Sequence, residues 1–279
     1  MIPYAYFHGT WAPVSETSLP LNVRALYFGD GIYDAAIGTG GRIYLEDEHL
    51  DRFFSGAEAL ELCPSFSRQE LSARLREGIC RFTDGQPFFL YFSLLRTSPR
   101  RSHAFDVWAQ SELLITLEDV ALPDPERQVR LQPYPDLRYE YCHIKTLNLL
   151  PNILAATSAA RHGAEEAVFL WDGVVTECAH SNLFILNGRT LITHPADRHI
   201  LPGVTRRHTL AAARRLGYGV EERPFGAAEL SRADAVLISS TTRGLVPAVS
   251  FGGLPLSDSP EAAALRAAVY EEFRAFCTV

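Results

Sequence analysis

The sequence predicts an α+β protein of two domains, and three observations carry that reading. At 279 residues the chain is near the size at which one hydrophobic core stops growing. A break runs from Glu118 to Arg127, where two prolines and four acids follow the strand-like run Leu113–Leu117. Strands and helices mix on both sides of the break, without the regular strand–helix alternation of a doubly wound parallel sheet. The expected division is an N-terminal α/β domain over 1–117, a linker over 118–127 and a C-terminal domain over 128–279.

The elements follow from local patterns. Arg42 to Leu45 reads as a short strand. From Asp47 to Leu62 the apolar positions 50, 53, 54, 57 and 60 fall on one helix face. Ser67-Arg-Gln-Glu70 is a capping-box pattern, and Leu71, Leu75 and Ile79 follow at helical spacing. Phe88 to Leu95 is apolar and aromatic, a buried strand that ends in a loop running from Arg96 to His103. Leu150 to Arg161 reads as a helix stopped by Gly163. Asp172-Gly173 and Asn187-Gly188 each sit between apolar runs, the signature of tight hairpins. Thr205 is the expected cap of a helix over 206–216 that ends at Gly217. Ala235 to Ile238 is a strand feeding Ser239-Ser-Thr-Thr242. Ser259-Pro260 places a cap and then a proline at the first position of a last helix.

Bulk composition narrows the function classes. Apolar residues make up 47%, enough for a sizeable core, and the net charge is −7 with scattered arginines. That excludes a basic face for nucleic acid. No apolar run is long enough to cross a bilayer, and the start lacks the basic segment of a signal peptide. Five cysteines, odd in number and widely spread, imply reduced thiols in a cytoplasmic protein. They form neither a disulfide frame nor a zinc site, and no metal is expected.

One residue type is almost missing. Lys145 is the only lysine, against 25 arginines. Arginine can pair with carboxylates and phosphates, but its guanidinium does not lose its proton and cannot form a Schiff base. A lysine can. Biased composition with one chance survivor would give the same count, so the neighbourhood decides. Lys145 lies in Cys142-His-Ile-Lys-Thr-Leu-Asn-Leu-Leu150, among apolar residues. Desolvation lowers an amine's pKa and favours the neutral, nucleophilic form. A lysine imine in such surroundings points to pyridoxal 5′-phosphate (PLP) among a few carbonyl partners.

Six blocks in order make a resemblance specific. They are Tyr27-Phe-Gly-Asp-Gly-Ile-Tyr33, Glu48-His-Leu-Asp-Arg52, Ile144-Lys-Thr-Leu-Asn-Leu-Leu150, Val175-Thr-Glu-Cys-Ala-His-Ser-Asn-Leu-Phe184, Ile200-Leu-Pro-Gly-Val-Thr-Arg206 and Ser239-Ser-Thr-Thr242. Together they resemble the class IV, or fold type IV, PLP-dependent aminotransferases, and most closely the D-amino acid aminotransferases. The fold implied is the two-domain α+β fold of those enzymes, with the C-terminal domain binding PLP.

The resemblance implies a role for each matching residue. Lys145 is the Schiff-base lysine and proton-shuttling base. Glu177 faces the pyridine nitrogen, where a carboxylate keeps that nitrogen protonated. Arg52 is a phosphate clamp, as a guanidinium fork on a dianion should be. Val204 and Thr205 open a helix whose free N–H groups suit an anion. Ser240 and Thr241 add donors from a second loop, and Leu201 packs on the cofactor ring. Arg101 and His103 match an Arg-x-His substrate-carboxylate grip, assisted by the Tyr33 hydroxyl. A one-residue shift of the loop would make Arg100 the clamp instead; only Arg101 keeps the i, i+2 spacing to His103 that points both side chains to one side of an extended loop.

Two positions depart from the family pattern. Asp34 stands where a glutamate is frequent. His180 stands where small residues follow the cofactor glutamate, and reads equally as a substrate contact or a packed polar residue. The implied activity is a ping-pong transaminase between a D-amino acid and a 2-oxo acid, in a homodimer with no nucleic-acid or membrane partner. A branched-chain L-aminotransferase or an aminodeoxychorismate lyase of the same fold is the alternative. A non-catalytic, arginine-rich anion-binding protein is the reading from outside enzymology, and it requires clustered arginines.

Overall fold

The computed structural model describes residues 2–106 and 109–278. Two compact units emerge. The first takes the chain up to Leu122 together with Ile144–Asn148, and the second takes Pro123–His143 and the chain from Leu149 onward.

The first unit contains β1 (Tyr4–Phe7), β2 (Thr10–Pro13), α1 (Ala25–Phe28), β3 (Gly31–Thr39), β4 (Arg42–Ile43), α2 (Glu46–Ala59), α3 (Arg68–Phe82), β5 (Phe88–Arg96) and β6 (Ser111–Asp119). Its six strands pair in the order β2-β1-β6-β5-β3-β4, antiparallel throughout. The core lies between this sheet and the two long helices. Leu50, Phe53 and Ala57 of α2 and Leu71, Leu75 and Ile79 of α3 meet Leu90, Phe92, Ile115 and Leu117 of the strands. Phe54 and Leu60 pack on the margin of that cluster. The capping box is formed: Glu70 N–H donates to Ser67 Oγ at 3.3 Å, and Ser67 N–H to Glu70 Oε2 at 2.7 Å. The strand expected to reach Leu45 stops at Ile43, because Leu45 turns into the left-handed region (φ 54°) at the start of α2.

The segment Ile144–Asn148 packs within this unit although the sequence reading assigned it to 128–279. Backbone bonds explain its place. Tyr33 N–H donates to Lys145 O at 2.9 Å, Leu147 N–H to Gly31 O at 3.2 Å, and Ile32 bridges Thr146. Lys145 is thereby set against β3.

The second unit contains β7 (Val129–Pro135), α4 (Leu150–Arg161), β8 (Glu166–Trp171), β9 (Val174–Cys178), β10 (Asn182–Asn187), β11 (Thr190–Thr193), α5 (Val204–Arg215), β12 (Gly219–Glu222), α6 (Ala227–Leu230), β13 (Ala235–Ser240), β14 (Gly244–Phe251), β15 (Leu254–Pro255) and α7 (Pro260–Thr278). The sheet runs β12-β11-β10-β13-β14-β7-β8-β9, with β15 beside β14. Strand β7 is parallel to both its neighbours and β12 is parallel to β11; the other pairs are antiparallel. One face carries Val129, Val168, Val175, Ile185, Val236 and Ile238. A second cluster joins α5 and α7 through Leu210, Ala213, Leu265 and Val269.

The turns show where sequence signals hold and where they slip. Trp171 pairs with Val174, so Asp172 (φ 47°) and Gly173 (φ 82°) form the two-residue turn expected. At the next hairpin Asn187 pairs with Thr190, so the turn is Gly188-Arg189, one residue later than read. Only Gly188 has positive φ there, which suits a turn with glycine in its first central position. Helix α5 begins at Val204 with Gly203 as its cap, so Thr205 lies inside the helix and caps nothing. Ser259 does cap α7, accepting from Ala262 N–H at 3.2 Å. Among the described residues no helix is long and apolar enough to cross a membrane.

Candidate active site

In the first unit, Lys145 and Tyr33 stand side by side. The Lys145 Nζ lies 4.3 Å from the centroid of the Tyr33 ring, which stacks on Tyr91 at 4.7 Å. The next residue of β3, Asp34, is fully buried and takes both arms of a guanidinium. Arg52 donates from Nε to Oδ2 at 2.7 Å and from Nη2 to Oδ1 at 2.8 Å. His49 Nδ1 is 2.8 Å from Asp34 Oδ1. Burial alone would raise the Asp34 carboxyl; Arg52 and His49 outweigh it and hold the group well below the usual carboxylate range. Burial lowers the His49 pKa, with Arg52 and Lys145 adding to the effect and Asp34 opposing it. Arg52 thus keeps its Nη1 beyond the fork that grips Asp34.

The loop after β5 is braced from α1. Buried Arg24 donates from Nε to Asp30 Oδ2 at 2.6 Å, from Nη1 to Ser102 O, and from Nη2 to His103 O at 3.1 Å. Arg96 also reaches Asp30 and the carbonyls of Leu60 and Glu61. Arg101 and His103 are exposed. Arg101 lies over the Phe28 ring at 5.0 Å and the Tyr27 ring at 5.8 Å, and the His103 ring sits 5.3 Å from Phe28. Arg100 is exposed, and its carbonyl accepts from Ser98 Oγ.

In the second unit, Glu177 is the hub of a buried polar network. It accepts from Arg138 Nη1, from Asn182 Nδ2 at 3.0 Å and from Leu201 N–H at 3.1 and 3.2 Å. Burial pushes the Glu177 carboxyl up against the pull of Arg138. Arg138 also holds Asp136 and the carbonyl of His199. Burial works against its charge, yet Glu177 and Asp136 raise the Arg138 pKa further. Asn182 Nδ2 continues to Leu201 O at 2.9 Å. A Cβ on Gly203 would meet Asn182 Oδ1 at 2.1 Å, so only glycine lets α5 begin this close to the network. His180 reaches buried Glu166 through Nε2 at 3.0 Å, beside Ser181 Oγ and Arg243.

These residues fit PLP. Helix α5 starts without a side-chain cap, which leaves its first N–H groups for an anion. The Ser240 Oγ is buried without a hydrogen-bond partner among the described residues, an orphan that a phosphate oxygen would satisfy. The Glu177 carboxylate is held in place by three donors, Arg138, Asn182 and the Leu201 N–H, as a partner for a pyridinium must be.

The family follows from comparison with known proteins. The family model "Amino-transferase class IV" matches residues 31–251. The chain belongs to the class IV aminotransferases. It is a PLP-dependent aminotransferase with the fold type IV architecture. A D-alanine aminotransferase of Bacillus licheniformis is 32% identical over 251 residues, covering 88% of each chain. One from Listeria monocytogenes serotype 4b is 33% identical, covering 87% of this chain and 86% of its own. Among solved structures, a branched-chain aminotransferase of Thermoproteus uzoniensis superposes with a TM-score of 0.90 at 20% identity, covering 99% of this chain and 95% of its own. A PLP-bound aminotransferase of Brucella abortus gives 0.84 at 22% identity, with 97% and 98% covered. At those identities the structures speak for the fold.

The sequence reading missed Arg138 and Arg24. His49 and Asn182 were quoted within blocks without a task. Arg138 stands in an unremarkable Leu-Arg-Tyr string, so no local signal marked it. His49 and Arg52 are three apart on α2 and share one face, a signal that could have paired both with Asp34.

Proposed function

We propose that this aminotransferase moves amino groups between D-amino acids and 2-oxo acids. D-Alanine and D-glutamate are the expected donors, and pyruvate and 2-oxoglutarate the acceptors. The carrying observation is the Arg101-Ser102-His103 loop, whose backbone Arg24 braces at two carbonyls, in a chain whose relatives named D-alanine aminotransferase cover most of its length.

Lys145 Nζ would hold the cofactor covalently; displaced from it by the substrate amine, the freed Nζ would take the proton from the substrate Cα and return one on the other side of the exchange. The bound PLP supplies an electron sink for the pair left by that proton. Glu177, fixed by Arg138, Asn182 and the Leu201 N–H, keeps negative charge at the pyridine nitrogen. Arg52, the first turn of α5 at Val204 and Thr205, and Ser240 with Thr241 hold the phosphate. The Leu201 side chain walls the ring. Arg101 and His103 grip the substrate carboxylate, with the Tyr33 hydroxyl assisting; a carboxylate entering a partly dry site needs such a pair.

We also read the enzyme as a cytoplasmic homodimer. Support for the second copy is the set of exposed apolar side chains in the second unit: Leu150, Ile153 and Leu154 of α4, and Leu137, Tyr139 and Tyr141. Support for the location is that Cys63 and Cys80 are exposed free thiols.

The test is a screen of D- and L-amino acids against purified enzyme, following the cofactor absorbance band. Loss of the band with D-alanine or D-glutamate supports the reading. Preference for L-valine or L-leucine selects the branched-chain alternative, and pyruvate released from aminodeoxychorismate without an acceptor selects the lyase.

A further inference from the structure

The connection between β11 and α5 carries a cluster that the transaminase machinery does not use. His194, Asp197 and His199 bring one ligand atom each to within 4.8 Å of one another. Asp197 Oδ1 lies 3.2 Å from His199 Nδ1 and 3.8 Å from His194 Nδ1. Around a tetrahedral zinc with bonds of about 2.0–2.1 Å, neighbouring ligand atoms stand about 3.4 Å apart. The two measured edges straddle that value, and the third, between the imidazoles, is within 4.8 Å, so closure asks the two histidine rings to draw together.

The loop is held in shape before any ion arrives. Arg206 Nη2 donates to His194 O at 2.8 Å, and Arg138 Nη2 to His199 O at 3.0 Å. Cys142 N–H donates to Arg198 O at 3.0 Å. Asp197 Oδ1 receives the His199 N–H at 2.8 Å. The His194 side chain is 5% exposed, and the His199 ring packs against Trp171 at 5.3 Å. The loop backbone and the buried His194 ring are thus ordered in advance, while the Asp197 carboxylate stays open to solvent.

Charge does not oppose a cation here. Arg198 turns away to Glu140 at 3.1 Å. Arg138 is offset by Asp136 and Glu177, and Arg206 by Glu222. His194 Nδ1 also lies 3.0 Å from Pro195 O, and the proton shared there is the one that a metal would displace. Two imidazoles and one carboxylate are a borderline donor set suited to zinc, cobalt or nickel, and they leave a fourth position for water.

We propose that His194, Asp197 and His199 form a binding site for one divalent transition-metal cation of the zinc class. None of the three side chains is among those given to the cofactor or substrate. Within the second unit the cluster is joined to Glu177 through Arg138, which holds both His199 O and the Glu177 carboxylate. An ion there would pin the connection leading into Leu201 and α5.

The test uses tag-free holoenzyme titrated with cobalt(II), reading the visible ligand-field absorbance, and with zinc(II) in equilibrium dialysis. One ion per chain is expected, with the melting temperature rising as zinc is added. Asp197→Asn keeps the oxygen that receives the His199 N–H and removes the charge; His199→Gln removes an imidazole. Each should weaken zinc binding by more than the ~10–100-fold that even an outer partner of a metal ligand costs. Both variants should keep the cofactor absorbance band, which shows that they are folded. Absence of binding at micromolar zinc, or affinity unchanged in both variants, would overturn the site.

Discussion

Arg52 closes on Asp34 as a two-pronged pair, Nε to Oδ2 at 2.7 Å and Nη2 to Oδ1 at 2.8 Å, with the carboxylate fully buried. The pair joins the one position of β3 that departs from the family pattern to the arginine assigned to the phosphate. Asp34 thus orients Arg52 and offsets its charge before any anion binds.

Removing the carboxylate charge should expose that dependence. Asp34→Asn leaves a buried guanidinium without its counter-ion, a change that costs about 3–5 kcal/mol in comparable sites. Urea unfolding should show the loss, and cofactor affinity should fall with it. The pH dependence follows from the depressed Asp34 pKa. The unfolded carboxyl titrates near ~3.9, so the stabilisation is complete above that value and drains away as pH falls towards the lower folded pKa. The acid limb of a stability–pH curve should therefore be shallower in Asp34→Asn than in the wild type. An unchanged acid limb would mean that the pair contributes nothing.

Glu177 and Arg138 should separate cofactor binding from proton transfer. Glu177→Gln preserves the hydrogen bond from Leu201 N–H and the fold, while removing the charge proposed to face the pyridine nitrogen. The variant should retain PLP and slow Cα proton removal in single-turnover kinetics. Arg138→Met should be worse for stability than Glu177→Gln, because it strands Glu177 and Asp136 together in a buried site. Wild-type single-turnover rates in Glu177→Gln would remove Glu177 from its role.

The substrate loop gives a sharper contrast between neighbours. Arg101→Ala should raise KM for every amino acid and leave amines without a carboxylate unaffected. The loss should be on the order of the 1.5–3 kcal/mol typical of a charge-assisted hydrogen bond. Arg100→Ala should do little. The reverse pattern would move the clamp to Arg100.

Much of this molecule was legible in its sequence, and the rest was hidden for identifiable reasons. Periodicity placed α2, α3 and α4, because each buries one continuous face or stops at a glycine. The ordered blocks singled out Lys145, Arg52 and Glu177 as residues to which a task could be given. What stayed hidden depends on long-range approach. Asp34 meets Arg52 across 18 residues. Arg138 meets Glu177 across 39. The Lys145 segment joins β3 through backbone bonds, which no side-chain pattern announces. Thr205 misled because the true cap, Gly203, is chosen by the crowding of Asn182 rather than by its own chemistry. The turn at Gly188 slipped by one residue because asparagine and glycine both favour positive φ, and only the strand register decides between the two placements.

The most direct measurement exploits the single lysine. Lys145 Nζ is the group proposed to carry the cofactor. Borohydride reduction of the holoenzyme, followed by peptide mapping, should find one phosphopyridoxyl group on the peptide containing Lys145. Lys145→Ala should show no such adduct and lose nearly all turnover while keeping its fold. An adduct absent from that peptide, or turnover that survives in Lys145→Ala, would contradict the account.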